Sequence, residues 1–163
     1  MRARTTLRLA GPADARAIGE LVRRGTRRDV LPDQSPAAGA YLLTTMTARA
    51  ERERIGNGYR YYVAEVGGRL AGVAAMRDDA HLYRLFVSAR FQRRGIGRML
   101  WLKALADCRK RLGARAVTVN ASACAVPVYR RLGFVATGPA QAKGPGVVTT
   151  PMVFRVGASS QTA

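Results

Sequence analysis

The sequence is poor in the residue types that most often mark a metal or redox site. Its 163 residues include one histidine, two cysteines, one tryptophan and only ten acidic residues. Cys108 and Cys124 belong to no CxxC motif and have no partnering histidine cluster, so neither a disulfide framework nor a zinc site is predicted. A reducing, cytoplasmic location is therefore expected.

Long hydrophobic runs are also missing. No stretch approaches the roughly 18 apolar residues of a membrane span, and the charged N-terminus is not followed by the apolar segment of a secretory signal. No membrane association is expected. A hydrophobic content of 48% in a chain of this length fits one domain, predicted over residues 5–156, with a disordered tail at 157–163.

Lysine is scarce while arginine is abundant. Three lysines and 25 arginines give a formal net charge of +18, which attracts polyanions such as phosphate-rich cofactors and nucleic acid. The arginines are spread along the whole chain, are not interleaved with stacking aromatics, and accompany no nucleic-acid-binding motif. We interpret most of them as a solvated surface, and nucleic acid is not an expected partner.

Hydrophobic periodicity and turn residues predict the element order βααβββαβαββ, which is typical of a three-layer α/β fold with a mixed sheet. A loop is expected over 27–36 and a Gly/Pro-rich segment over 138–146. The predicted strands are 5–10, 61–66, 70–76, 81–87, 116–120, 134–137 and 147–156, and the predicted helices are 14–24, 37–54, 97–112 and 125–132.

The strongest local signal lies in residues 82–100, where a hydrophobic strand leads through an Arg- and Gly-rich loop into a helix. Glycines allow a close approach of the backbone to a ligand, and the first N–H groups of a helix attract an anion. The loop lacks both the Gly-Lys-Ser/Thr ending of a nucleotide-hydrolase loop and the GxGxxG of a dinucleotide fold. A pyrophosphate-binding turn is the prediction.

Residues 87–97, Val-Ser-Ala-Arg-Phe-Gln-Arg-Arg-Gly-Ile-Gly, resemble the acetyl-CoA motif of the GNAT superfamily, Val-x-Pro-x-Tyr-Gln-Gly-x-Gly-x-Gly. Ala89 replaces the proline and Arg93 the first glycine. Residues 119–134 are similar to a second family pattern, Asn-x-x-Ala-x-x-x-Tyr-x-x-x-Gly-Phe, with Ser122 where asparagine is usual. The resemblance covers residues 5–156 and implies a GNAT-like fold with a mostly antiparallel central sheet.

The resemblance also implies acetyl-CoA as the cofactor and assigns residues to it. Residues 92–98 would hold the pyrophosphate, Ser122 would hydrogen-bond the pantetheine arm, and the backbone N–H of Val87 would bind the thioester carbonyl. The cofactor-binding set so implied is Phe86, Val87, Gln92, Arg93, Arg94, Gly95, Ile96, Gly97, Arg98, Ser122 and Tyr129.

The catalytic acid implied by the resemblance is Tyr129, which the second motif places beside the sulfur of CoA. A tyrosine on a short helix is otherwise a common core aromatic. The base is less clear from the residues, because many relatives have a glutamate where this sequence has Tyr83. His81 is the candidate base, since a period of two places it on one strand face with Tyr83, Leu85 and Val87 and its ordinary pKa is about 6.5.

Other routes for the proton stay open. An already neutral amine needs only positioning, and a carboxylate could act through an ordered water. The acidic alternatives are Glu65, Asp78 and Asp79.

The acceptor is expected near residues 27–41 and 138–150, the loops that flank this cleft in similar proteins. We interpret Arg27 and Arg28 as solvated loop arginines, and the alternative is that they bind the carboxylate of an amino-acid-like amine. Only Asp29 and Asp33 are acidic in the first of these loops, which argues against polycationic acceptors.

Three functions follow as hypotheses. The first is acetylation of a primary amine of a small molecule, the second is acetylation of a protein N-terminus or lysine, and the third is a noncatalytic acyl-CoA or nucleic-acid binding module. The possibility of a homodimer is left open.

Overall fold

The computed structural model describes residues 3–113 and 115–157, so the predicted tail at 157–163 lies, apart from Gly157, outside the described residues. The strands are β1 Thr5–Leu9, β2 Arg60–Val66, β3 Arg69–Arg77, β4 His81–Val87, β5 Ala116–Ala121, β6 Val135–Ala136, β7 Gln141–Lys143 and β8 Val147–Arg155. The helices are α1 Ala15–Asp29, α2 Pro36–Thr44, α3 Ala48–Gly56, α4 Ile96–Leu112 and α5 Val126–Leu132.

One sheet with the order β1-β2-β3-β4-β5-β8-β6 runs through the molecule, and β7 pairs with β8. All neighbouring strands are antiparallel except β4 and β5, which are parallel. The predicted mixed, mostly antiparallel α/β fold is therefore confirmed. No helix in the described part of the chain is long and apolar enough to cross a membrane.

The two faces of the sheet carry separate hydrophobic clusters. On one face α4 packs through Leu100 and Trp101 against Phe134, which follows α5. On the other face α1 and the α2–α3 corner pack against β2 and β3, with Ile18 and Met46 fully or almost fully buried. The sheet is thus the middle of three layers, as the alternation of elements in the sequence predicts.

The predicted helix over 37–54 is two helices. The Thr47 hydroxyl accepts a hydrogen bond from the N–H of Ala50 (3.1 Å) and starts α3, while Thr45 donates its own hydroxyl back to the carbonyl of Leu42 (2.7 Å). Such local side-chain bonds compete with helix continuation and favour a new N-cap. The break places Met46 at a corner where its sulfur accepts a hydrogen bond from Thr26 (3.2 Å).

Two other boundaries differ from the prediction. Helix α1 continues to Asp29, so Arg27 and Arg28 lie in its last turn and not in a loop. The Gly/Pro-rich segment contains β7, which forms a hairpin with β8 through Gly144 and Gly146, both at positive φ (54° and 94°). Periodicity could not show so short a strand beside turn residues.

Candidate active site

The parallel strands β4 and β5 are joined at one end and separate at the other. Their pairing in the described residues is His81 with Thr118, where the Thr118 N–H also donates to the carbonyl of Ala80 (2.9 Å). Beyond this point a cleft of about 940 Å³ opens between the strands and extends to both faces of the sheet.

The open edge of β4 leaves backbone groups without a partner strand. Ser88 donates its N–H to Ala71 of β3 (2.8 Å), and because successive backbone groups alternate, the N–H and carbonyl of Val87 face the other edge, towards β5. There the side chain of Gln92 donates to the Val87 carbonyl (3.2 Å). Separation of the strands thus leaves the N–H of Val87 as a donor facing the cleft.

The turn into α4 forms a second set of donors. The first N–H groups of a helix have no partner inside the helix, and α4 begins at Ile96 directly after Gly95, whose φ is 75°. Arg93, at the position of the family's first glycine, has a φ of 60°, so the backbone keeps a glycine-like turn although the residue is arginine. This turn offers the N–H donors and positive charge that a pyrophosphate requires.

Side chains around this turn divide into two groups. Arg93 and Arg98 line the cleft, together with Gly95, Ile96 and Gly97. Arg94 does not: its guanidinium lies over the ring of Phe91 with a carbon-to-centroid distance of 5.4 Å. All other predicted cofactor-binding residues, including Phe86 and Ser122, line the same cleft.

A bulge in β4 alters the predicted strand face. Ala75 pairs with Arg84 while Met76 pairs with Leu82, so Tyr83 is one extra residue on this strand. As a result Tyr83 packs with the α1 and α3 cluster, whereas Leu85 and Val87 pack with the α4 cluster. The expectation that these residues share one face with His81 is wrong, because the bulge resets the period of two.

Tyr129 lies in α5 at the wall of the cleft, with 7% of its surface exposed. Its ring packs edge-on against Phe134 with centroids 5.3 Å apart, so it also belongs to the core. Burial raises the pKa of its hydroxyl above the usual range, which keeps the hydroxyl protonated. A protonated phenol at a cleft wall is able to donate a proton.

His81 stands at the joined end of β4 and β5 and lines the cleft. Its Nδ1 lies 2.8 Å from the Thr118 hydroxyl. Burial, with the nearby charges of Arg77 and Lys143, lowers the pKa of His81 to about 4. The ring is therefore neutral at physiological pH, but it is a weaker base than an ordinary histidine.

The acidic alternatives lie outside the cleft lining. Glu65 pairs with Arg8 (2.9 Å), and Asp79 pairs with Arg111, which is the main reason that the pKa of Asp79 is lowered. Asp78 is largely exposed. Among the described residues the cleft lining contains one carboxylate, that of Asp29.

The far part of the cleft is bordered by the end of α1, the α2–α3 corner and the β7–β8 hairpin. Arg28 is held by Asp29 through two hydrogen bonds (2.9 and 2.7 Å), and Arg27 is exposed and absent from the lining. The alternative that these two arginines together bind a substrate carboxylate is therefore not supported by the geometry. The two predicted loop regions do meet, because the Gln34 amide exchanges two 2.8 Å hydrogen bonds with the backbone of Val148.

A buried ionic cluster beneath this part was missed from the sequence. Glu51 is fully buried and accepts hydrogen bonds from the Tyr61 hydroxyl and from Arg84 (3.2 Å), with Arg54 at 3.5 Å. Arg84 and Arg54 also hold the carbonyl of Thr45 (3.2 and 2.6 Å). The only sign of this cluster in the sequence is Arg54, three residues after Glu51, a spacing that usually indicates a solvated ion pair on a helix surface.

Comparison with known families decides the assignment. The family described as acetyltransferase (GNAT) domain matches residues 30–156. The chain belongs to the GNAT acetyltransferases. This match includes β4, the turn into α4, β5 and α5, which are the elements that form the cleft of this GNAT domain. No curated protein matches the chain significantly.

Solved structures share the GNAT fold over nearly the whole chain. The PaiA N-acetyltransferase of Thermoplasma acidophilum, in complex with coenzyme A, is 14% identical with a TM-score of 0.79, covering 94% of this chain and 99% of its own. YncA of Salmonella typhimurium, a putative acetyltransferase with acetyl-CoA, is 22% identical with a TM-score of 0.65 and coverages of 99% and 100%. A spermidine N-acetyltransferase SpeG chimera from Vibrio cholerae and hSSAT is 19% identical with a TM-score of 0.64 and coverages of 94% and 96%. Because all three structures are less than 25% identical to this chain, they show a shared fold and no more.

Proposed function

We propose that this GNAT protein transfers the acetyl group of acetyl-CoA to a primary amine of a small molecule. The observation that carries the proposal is the divergence of β4 from β5, which leaves the Val87 N–H facing a cleft that also holds the α4 N-terminus and Tyr129. A fold likeness to coenzyme A and acetyl-CoA complexes supports the same donor.

The donor set fits acetyl-CoA. The turn at Gly95 and the start of α4 present N–H groups and the charges of Arg93 and Arg98 to an anion, as the pyrophosphate requires. Bound acetyl-CoA supplies an activated thioester. The Val87 N–H then donates a hydrogen bond to the thioester oxygen, where negative charge develops during attack by the amine.

Proton movement is assigned to two residues. Tyr129, kept protonated by burial, donates its proton to the departing thiolate. His81, neutral at physiological pH, is the proposed acceptor of the proton from the attacking amine, with positioning of an already neutral amine as the alternative route.

A small acceptor is favoured over a protein segment by the border of the cleft. The Gln34–Val148 pair joins the segment between α1 and α2 to β8, where Val147 and Thr149 line the cleft, and we expect this bridge to hinder the entry of an extended chain. Acetylation of a peptide N-terminus or lysine is the second candidate, and it requires an open groove at this border.

The test compares wild type with Tyr129→Phe in thiol release from acetyl-CoA over a panel of small amines and peptides. We expect kcat on the best acceptor to fall about 100-fold or more, the usual contribution of a general acid, with CoA affinity within about twofold. Tyr41→Phe is the matched control, because Tyr41 lines the same cleft but is 47% exposed.

Each result has a distinct meaning. An equal kcat for wild type and Tyr129→Phe would remove Tyr129 as the acid. Turnover on peptides alone would shift the proposal to the protein acceptor. CoA binding without turnover on any acceptor would favour a noncatalytic acyl-CoA module, and failure to bind CoA would overturn the donor assignment.

A further inference from the structure

The buried cluster of Glu51, Arg54 and Arg84 lies under the far part of the cleft, which we call the acceptor part. This cluster carries an excess positive charge. Arg84 and Arg54 share one carboxylate, that of Glu51, so two cations are balanced by one anion. Glu51 is fully buried, and the side chains of Arg84 and Arg54 are 7% and 17% exposed. A buried charge without a counterion is unfavourable, and an anion placed next to the cluster compensates it.

Arg84 has unused hydrogen-bonding capacity and reaches the cleft. Its bonds to Glu51 and Thr45 both leave from Nη2 (3.2 Å each). Its Nε is buried and has no hydrogen-bond partner among the described residues, although Arg84 itself lines the cleft. A guanidinium has five N–H donors, and those of Nη1 form no hydrogen bond with the described residues, so they are the ones available to an anion in the cleft.

The position of Arg84 along β4 relates it to the reacting centre. It precedes Val87 by three residues, which at about 3.3 Å per residue separates their Cα atoms by roughly 10 Å. Both residues line one cleft. A single small molecule is therefore long enough to place an amine near the Val87 N–H and an anionic group against Arg84.

The rest of the lining of the acceptor part is also positively charged. Arg77, His81 and Lys143 line it, and the one carboxylate in the described lining, Asp29, is already paired with Arg28 (2.7 Å). The positive charge around His81 contributes to the lowered pKa of its ring. A polycationic amine would be repelled here.

We propose that the acceptor is an amine that also carries a carboxylate, as amino acids do, and that Arg84 binds this carboxylate. The proposal rests on the acetyltransferase function above. It assigns the selection of the acceptor to Arg84, a buried residue of β4 that Glu51 and Thr45 hold. The pair Arg27 and Arg28, considered from the sequence, does not have this role.

The experiment measures thiol release from acetyl-CoA with matched acceptors, each an amino acid and its primary carboxamide, and with spermidine as a polycation. The α-amino acids and the ω-amino acids β-alanine and 4-aminobutyrate are used, so that the spacing between amine and carboxylate varies. For the best pair, kcat/KM of the carboxylate is expected to exceed that of the amide by about 10-fold or more, the range of a charge-assisted hydrogen bond.

Two double variants separate Arg84 from the charge of the cluster. E51Q/R84M and E51Q/R54M each remove one arginine and the buried carboxylate, so each leaves a single cation without a buried partner acid. We expect E51Q/R84M to lose the preference for the carboxylate and E51Q/R54M to keep it. Thermal unfolding and CoA affinity, measured on both, report whether they are equally folded.

The outcomes distinguish this proposal from the function on which it rests. Thiol release with amides or spermidine at equal or greater kcat/KM than with carboxylates would overturn the proposal while leaving the acetyltransferase intact. No release with any acceptor would remove the function itself. The wild-type comparison alone decides the acceptor class if a variant fails to fold, and loss of the preference in both variants equally would remove Arg84 as its source.

Discussion

The two parts of the cleft are built in different ways. The proposed cofactor part is built mainly on one segment, residues 87–98, whose donors are backbone N–H groups fixed by a strand end and a helix start, while Ser122 and Tyr129 line the same cleft from β5 and α5. The acceptor part combines side chains from α1, the α2–α3 corner, β4 and the β7–β8 hairpin. A site made of backbone tolerates changes of side chain, as Arg93 shows at a glycine position, whereas a site made of side chains changes with each one.

The largest effect that would test this division is expected from Gly72→Val, a change in β3 at the place where the start of α4 packs on the sheet. A Cβ on Gly72 would lie 3.0 Å from both the Leu100 side chain and the Phe86 carbonyl, so we expect the larger valine side chain to displace α4 from the sheet. We expect a loss of about 3 kcal/mol in unfolding free energy and a clear loss of CoA affinity. Denaturant unfolding and calorimetric CoA titration measure the two effects. A variant with wild-type CoA affinity would show that the position of α4 is not critical.

Gly25→Val is the corresponding change on the acceptor side. A Cβ on Gly25 of α1 would meet the ring of Phe86 at 2.6 Å, and the ring is able to shift more easily than a backbone carbonyl. We expect about 1–2 kcal/mol of destabilisation, a raised KM for the acceptor and a smaller loss of CoA affinity than in Gly72→Val, although Phe86 belongs to the predicted cofactor-binding set. Gly11→Ala, where no atom lies within 4 Å of the added Cβ, is the control for both glycine variants. Equal loss of CoA affinity in Gly25→Val would contradict the separation of the two parts.

The pH dependence of stability tests the joined end of the strands. Because the folded pKa of His81 is about 4 and the unfolded value is about 6.5, the unfolded chain binds more protons, and stability must fall as the pH drops from about 6.5 to 4. For this half-buried ring we expect a loss on the order of 1 kcal/mol relative to His81→Asn, which retains a polar atom near Thr118. Parallel unfolding curves of the two proteins across that interval would argue against a depressed pKa.

A smaller difference is expected between two neighbouring arginines. Arg98 lines the cleft, while Arg94 stacks on Phe91 outside it. Arg98→Ala should raise the KM for acetyl-CoA about three- to fivefold and lessen its salt dependence, as for a partly solvated phosphate contact. Arg94→Ala should change the KM for acetyl-CoA less than twofold. The reverse order in steady-state kinetics would place the phosphate on the other side of the turn.

The sequence predicts the two parts unequally for physical reasons. Turn glycines and helix periodicity act between near neighbours, so the strand, turn and helix of residues 82–100 could be placed from their own pattern and from the family resemblance. The Tyr83 bulge depends on register with β3, and the burial of Glu51 depends on α3 meeting β2 and β4. Such facts arise from packing between distant segments, and no local pattern contains them.

The Gln34 amide shows what this division permits. The pairing of β8 with β5 ends at Thr150, two residues after Val148. At Val148 the Gln34 side chain hydrogen-bonds both the N–H and the carbonyl, so it takes the place of a peptide unit of a neighbouring strand. The border of the acceptor space is thus joined to β8 by a replaceable side chain, in addition to the core packing of α1 and the α2–α3 corner on the sheet. Substitutions at this attachment are therefore expected to change the acceptor while leaving the proposed acetyl-donor segment, residues 87–98, as it is.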